Sequence, residues 1–215
     1  MSGKFEYIQG KREGASSSIS IPISSSGIYS VLEYNKAFQD VPLSHWVNQA
    51  LKIMTALHVV EGRSDNRFEP NGQATRAEFI AVLARLLDLP SDGNNYFEDV
   101  SSSNWYQNAV NAAYQAGMIR GRTETKFVPN GVITREEVAV ILEHAYAYIT
   151  GKTAVASSVT FGDTSSISEW AKSSVGVVSE QGLMKGINGN KFAPKQFITR
   201  AEMVQAMYNL FLKLK

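Results

Sequence analysis

The chain has 215 residues, a formal net charge of +1, 44% hydrophobic residues and no cysteine. It is long enough to bury a core, and it has neither the clustered positive charge that captures nucleic acid or an anionic membrane in bulk nor the thiols for disulfides or thiolate metal sites. No apolar run approaches the ~20 residues of a bilayer-spanning helix, and the first residues do not form a charged-then-apolar leader; the lack of cysteine fits export without fixing the compartment.

Residues 1–36 differ from the rest. Ile19, Ile21 and Ile23 alternate with small or polar residues, and Tyr29, Val31 and Glu33 start a second extended pattern after a Ser-Ser-Ser-Gly turn, so two β-strands are expected. Two strands are marginal alone. The stretch reads as the tail of an upstream β-domain, with Met1 an introduced start; a strand pair that packs on the rest of the chain and belongs to it is the alternative.

From residue 37 a phrase occurs three times. Its copies are Phe38, Asp40, Trp46, Gly62, Phe68, Pro70, Thr75, Arg76 and Glu78; then Phe97, Asp99, Trp105, Gly121, Phe127, Pro129, Thr134, Arg135 and Glu137; then Phe161, Asp163, Trp170, Gly186, Phe192, Pro194, Thr199, Arg200 and Glu202. Trp to Gly is 16 positions, Gly to Phe 6 and Pro to Thr 5 in every copy, whereas the period changes from 59 to 64 because of added length around Gly151 to Val159. Fixed units with variable connections are the mark of a repeat protein. Repeats are assigned to 37–92, 93–153 and 154–215.

Each repeat reads as helix, long loop, helix. Ser44, Ser103 or Asn104, and Ser168 are candidate N-caps of the first helices, the first running from His45 to about Leu57. Gly117 and Gly182 stand where a left-handed C-terminal cap belongs, and His58 in the first copy implies a looser end. Thr75 with Glu78, Thr134 with Glu137 and Thr199 with Glu202 are capping boxes at the second helices. Behind them run the stripes Phe79, Leu83, Leu86, Leu87; Val138, Ile141, Leu142, Ala145; and Met203, Met207, Leu210, Leu214. The expected fold is mainly α, with three helix-loop-helix units around a central three-helix bundle, a short N-terminal β segment and grooves between units.

Arg76, Arg135 and Arg200 occupy the first position of those helices, where a cation is locally unfavourable. One reading is an anion site in which free amides, helix dipole and guanidinium converge. The other is an arginine that pairs with Asp40, Asp99 or Asp163 and ties loop to helix. Trp46, Trp105 and Trp170 are expected to pack mostly in the core, with an edge free for a sugar ring. Phe68, Phe127 and Phe192 read as loop anchors. Gly62, Gly121 and Gly186 are expected at positive φ, with close ligand approach as their sharper role.

These units resemble S-layer homology domains, whose signature is Thr-Arg-Ala-Glu or a close variant. Residues 75–78 and 199–202 fit it, and Thr134-Arg-Glu-Glu137 departs at its third position, which should leave cap and arginine intact. The third unit also departs at its opening, with Thr164 in place of Val41 and Val100 and one more residue before Trp170, which puts its groove in question. The resemblance implies a pseudo-trimer that binds secondary cell-wall polysaccharide of Gram-positive bacteria non-covalently, commonly through a terminal N-acetylmannosamine with a pyruvate ketal. It implies a secreted, wall-bound protein, monomeric as a pseudo-trimer, whose signal peptide lies outside this chain. Arg76, Arg135 and Arg200 would hold the carboxylate; Asp40, Asp99 and Asp163 would accept sugar hydroxyls or orient the arginines; Gly62, Gly121, Gly186, Trp46, Trp105 and Trp170 would supply backbone contact and ring shape.

No cofactor, metal or nucleic acid is expected. An enzyme that cleaves glycans would need paired carboxylates at a set separation, whereas the repeated acids here belong to caps and opening turns. The Asp65-Asn66 loop lacks the acidic ladder of a calcium site. A protein-protein scaffold of the lattice type is the alternative to sugar binding.

Overall fold

The structure is a computed structural model that describes residues 34–155 and 160–214, with residues 11, 12, 19–21, 23 and 26. The chain divides into two compact units, Met1–Asn35 and Lys36–Lys215. In the first, β1 (Lys11–Arg12) and β2 (Ile19–Ser20) pair antiparallel with Arg12 opposite Ile19. A strand thus begins at Ile19 as its alternation predicts, but its partner precedes it; the strand expected from Tyr29 to Glu33 lies outside the described residues.

Among the described residues the second unit holds six α-helices: α1 (Asn48–Ala56), α2 (Arg76–Leu87), α3 (Gln107–Gln115), α4 (Arg135–Thr150), α5 (Lys172–Glu180) and α6 (Arg200–Phe211). All three capping boxes form: the Glu78 amide donates to Thr75 Oγ1 at 3.2 Å and the Thr75 amide to Glu78 Oε2 at 2.9 Å, with equivalent pairs at Thr134 and Thr199. The departure at Glu136 leaves its box complete.

The first helices start differently from the expectation. They begin at Asn48, Gln107 and Lys172 and have no side-chain cap, because consecutive turns feed their amides to main-chain carbonyls, as in Asn48 N–H to His45 O at 2.8 Å and Gln107 N–H to Asn104 O at 3.0 Å. Asn104 instead accepts from the Ser101 amide, and Ser168 bonds Glu136. Their ends agree with the expectation at Gly117 (φ 72°) and Gly182 (φ 68°). His58 adopts the same left-handed conformation at φ 54°, and its amide reaches Thr55 O at 3.0 Å, so this end closes as tightly as the glycine ends despite the strain.

Packing runs between repeats. α2 lies against α3, α4 against α5, and α6 returns to lie against α1, so each second helix covers the first helix of the next repeat in a closed cycle. Of the second helices, α2 and α6 also lie against each other. A helix such as α2, buried at every position except Arg85 and Leu87, needs neighbours on more than one side. The residues just before the caps join the three units to one another. Ala74, Ile133 and Ile198 are fully buried, and their main chains form a ring in which Ala74 N–H donates to Ile198 O (3.0 Å), Ile198 N–H to Ile133 O (3.0 Å) and Ile133 N–H to Ala74 O (3.3 Å).

The extra residue in the third repeat is absorbed by 3₁₀ turns at Thr164–Ser166 and Glu169–Ala171. Ile167 is buried there, and Asp163 still makes the contacts that Asp40 and Asp99 make, so the loop is kept.

Candidate ligand groove

The Phe-x-Pro loop is set by the repeat's own aspartate. Asp40 accepts the Phe68 and Glu69 amides at 2.9 and 2.7 Å, Asp99 the Phe127 and Val128 amides, and Asp163 the Phe192 and Ala193 amides, each at 2.8 Å. The middle residue of each loop is left-handed, with φ of 60° at Glu69, 62° at Val128 and 54° at Ala193. Bidentate capture by a carboxylate holds this strained backbone. Burial alone would raise the Asp40 carboxyl, but the two amides outweigh it and hold it below the ordinary carboxylate value. Phe68, Phe127 and Phe192 are fully buried, as expected of anchors.

So shaped, each loop receives the preceding repeat. The first two amides of α2 donate to Gly131 O and Pro129 O, those of α4 to Gln196 O and Pro194 O, and those of α6 to Gly72 O and Pro70 O, at 2.8–3.1 Å. The amides expected to be free for an anion are therefore occupied by carbonyls of the next loop, which satisfies the helix N-terminus internally.

The arginines take the same path. Arg76 donates to Phe127 O, Arg120 O and Glu137; Arg135 to Phe192 O, Lys185 O and Glu202; Arg200 to Phe68 O and Glu61 O, with Glu78 at 3.6 Å. Each guanidinium lies 4.6–5.1 Å from the ring centre of the Phe below it. The three residues are only 3–5% exposed. The tie thus runs to the glutamate of the next capping box, and the aspartates stay with their own loops. Burial depresses all three guanidinium groups and the facing glutamates oppose it; at Arg76 and Arg200 a second arginine, Arg122 or Arg63, adds to the depression.

The glycines and tryptophans differ from expectation. Gly62, Gly121 and Gly186 are not left-handed; a Cβ at Gly62 or Gly121 would stand under 3 Å from loop carbonyl oxygens and from the Phe38 or Phe97 ring, so these sites exclude a side chain for want of space. Trp46, Trp105 and Trp170 are 58%, 64% and 59% exposed. The residue after each one, Val47, Tyr106 or Ala171, turns inward instead, so the core is filled one position later and the indoles lie on the surface.

A shallow cleft of about 220 Å³ brings these pieces together. Gly62, Arg63, Glu78 and Arg85 of the first repeat, Trp105 of the second and Arg200 of the third all line it. Sequence reasoning missed Arg63 and Arg85. Arg63 pairs with Glu78 and lies 3.8 Å from Glu69; in the second repeat Arg122 bonds both Glu137 oxygens at 3.1 and 3.2 Å. The Gly-Arg step after Gly62 and Gly121 was the available signal. The groove can offer an apolar ring face and three guanidinium groups set among glutamates, a set that can take a ring beside an anionic group.

A family model for the S-layer homology domain matches residues 37–80, 96–139 and 160–204. The chain belongs to the S-layer homology family. Over 212 residues, 98% of this chain, it is 38% identical to an amylopullulanase of Thermoanaerobacterium thermosulfurigenes, 11% of which is covered. It is 38% identical to the exoglucanase XynX of Acetivibrio thermocellus over 85% of this chain and 17% of that protein, and 34% identical to the S-layer protein sap of Bacillus anthracis over 79% of this chain and 20% of that protein. The chain therefore spans between about a tenth and a fifth of these relatives' lengths. S-layer homology domains anchor proteins to the cell surface, and three of them stand in tandem here. No helix among the described residues is long and apolar enough to cross a membrane.

Proposed function

We propose that the three S-layer homology domains hold a secreted protein on a Gram-positive cell wall by binding an anionic secondary cell-wall polysaccharide, through a terminal N-acetylmannosamine with a pyruvate ketal. The observation that carries this reading is the cleft in which Trp105 faces Arg63, Arg85 and Arg200, with Gly62 beside them. Arg63 at the rim and Arg200 beneath it would hold the ketal carboxylate, the indole would cover the sugar ring, and Gly62 would let the loop that carries Arg63 fold tightly at the groove wall. Arg76 and Arg135 would do for the neighbouring grooves what Arg200 does here. Asp40, Asp99 and Asp163 serve through the loops they shape. Several weak sites on one wall would add by avidity.

Calorimetry with the ketal-bearing fragment and its ketal-free counterpart tests the reading. At this cleft, binding of the ketal form is expected to weaken roughly tenfold in Trp105→Ala and more in Arg63→Ala, so that the stoichiometry at the parent's affinity falls. Equal affinity for both fragments, or unchanged affinity and stoichiometry in the Arg63→Ala chain, would refute it.

A further inference from the structure

We propose that the grooves are chemically unlike: those of Arg63 and Arg122 each take the ketal carboxylate, whereas the third, where Ile187 holds the corresponding position, takes an uncharged sugar of the same polymer. This rests on the anionic-sugar reading above. Gly62-Arg63 and Gly121-Arg122 become Gly186-Ile187 in the third repeat. In the first groove Glu78 faces both Arg63 and Arg200, with Glu69 3.8 Å from Arg63, and in the second Glu137 faces both Arg122 and Arg76, so each of these grooves carries a rim guanidinium beside the pair of capping-box glutamate and signature arginine. In the third, among the described residues, Glu202 faces Arg135 alone at 2.9 Å, and the pair is neutral. The positive neighbour that Arg200 and Arg76 feel is missing at Arg135.

The main chain and the helix face differ as well. Ile187 and Lys191 close a bridge with bonds of 2.7 and 3.3 Å, whereas the first two loops close one position later, between Ser64 and Arg67 and between Thr123 and Lys126. Where α2 presents Ala81 and Arg85, and α4 Val140 and His144, α6 presents Gln205 and Asn209, joined at 2.9 Å. By the symmetry of the repeats this face of α6, which packs on α1, belongs to the groove of the exposed Trp46; Asn209 Nδ2 already donates to Leu183 O at 3.0 Å, so Gln205 is the neutral amide left to bond hydroxyls there, and it adds no cation for a carboxylate.

The three tryptophans, one per groove, give three indole N–H signals in a proton-nitrogen spectrum of the full chain. The methyl glycoside of ketal-bearing N-acetylmannosamine is expected to shift Trp105 and Trp170, leave Trp46 in place and bind at two equivalents in calorimetry. The ketal-free glycoside is expected to shift Trp46. Ile187→Arg should bring Trp46 into the ketal response and raise the count to three, and Arg122→Ile should silence Trp170 and lower it to one. Three signals that move together, an Ile187→Arg chain that stays at two equivalents, or a Trp46 unmoved by the ketal-free sugar overturns the inference and leaves the proposed function standing. No response to the ketal glycoside at any tryptophan overturns the proposed function itself.

Discussion

Arg200 and Phe68, 132 positions apart, meet where the third repeat closes onto the first: the arginine Nε donates to the Phe68 carbonyl at 2.9 Å, and its guanidinium lies 4.6 Å from the centre of that ring. The same contact joins Arg76 to Phe127 and Arg135 to Phe192. The signature arginine is thus a fastener between consecutive repeats, and in the cleft it is also the positive floor under Arg63.

The arginines should not be equally costly to lose. Arg135→Ala leaves Glu202 without its facing guanidinium, whereas Arg76→Ala leaves Glu137 still paired with Arg122. Removing one partner of a buried ion pair costs about 3–5 kcal/mol. Arg135→Ala is expected at the upper end of that range and Arg76→Ala at or below the lower, as read from urea midpoints at constant slope. Equal losses would mean that Arg122 does not compensate.

Glu136 predicts an asymmetry of its own. It accepts from Ser168 and from Lys195 Nζ, and its side chain is buried while that of Lys195 is exposed. Lys195→Ala leaves a buried carboxylate held by Ser168 without its counter-charge and should cost about 1–3 kcal/mol, whereas Glu136→Ala restores the alanine of the other two repeats, frees a lysine already in water, gives up the bonds to the part-buried Ser168 and should cost less. Thermal melts of the two variants and the double variant would show the order; the reverse order would rule out this account.

Val128 is a β-branched residue at φ 62°. Gly at this position relieves strain of about 1–3 kcal/mol and returns part of it as unfolded-state entropy, so Val128→Gly is expected to stabilise the chain by roughly 1 kcal/mol. A lower melting temperature in that variant would show that the valine side chain packs more usefully than its backbone is strained.

Asp40 sets a pH dependence. Its folded-state pKa is lowered by the Phe68 and Glu69 amides, so its contribution to stability is complete above the ordinary aspartate value of about 4 and is lost as pH falls through the lower folded value. Urea midpoints from about pH 6 to about pH 2 should fall more steeply in the parent than in Asp40→Asn. Parallel curves would show that the loop does not depend on this charge.

The sequence carried a local code that the structure repeats without change. Thr and Glu three positions apart fix each second helix, because both partners of a capping box lie within one turn. The left-handed helix ends at Gly117 and Gly182 come from one residue each. The placement of the tryptophans did not emerge from local pattern, since burial at this turn is decided by one-residue register, and Val47, Tyr106 and Ala171 took the inward position.

The threefold repetition, the helices and their caps follow from local pattern, which also marks the arginine that helix electrostatics leaves unexplained. What that arginine faces follows from the closure of the repeats. Its partners lie 44 to 139 positions away, in the next repeat of a closed cycle, and a pattern that is read along one chain holds no information on which neighbour a long, flexible cation will reach. The same closure brings Gly62, Trp105 and Arg200 from three repeats to one cleft, so the groove exists only once the third repeat has returned to the first.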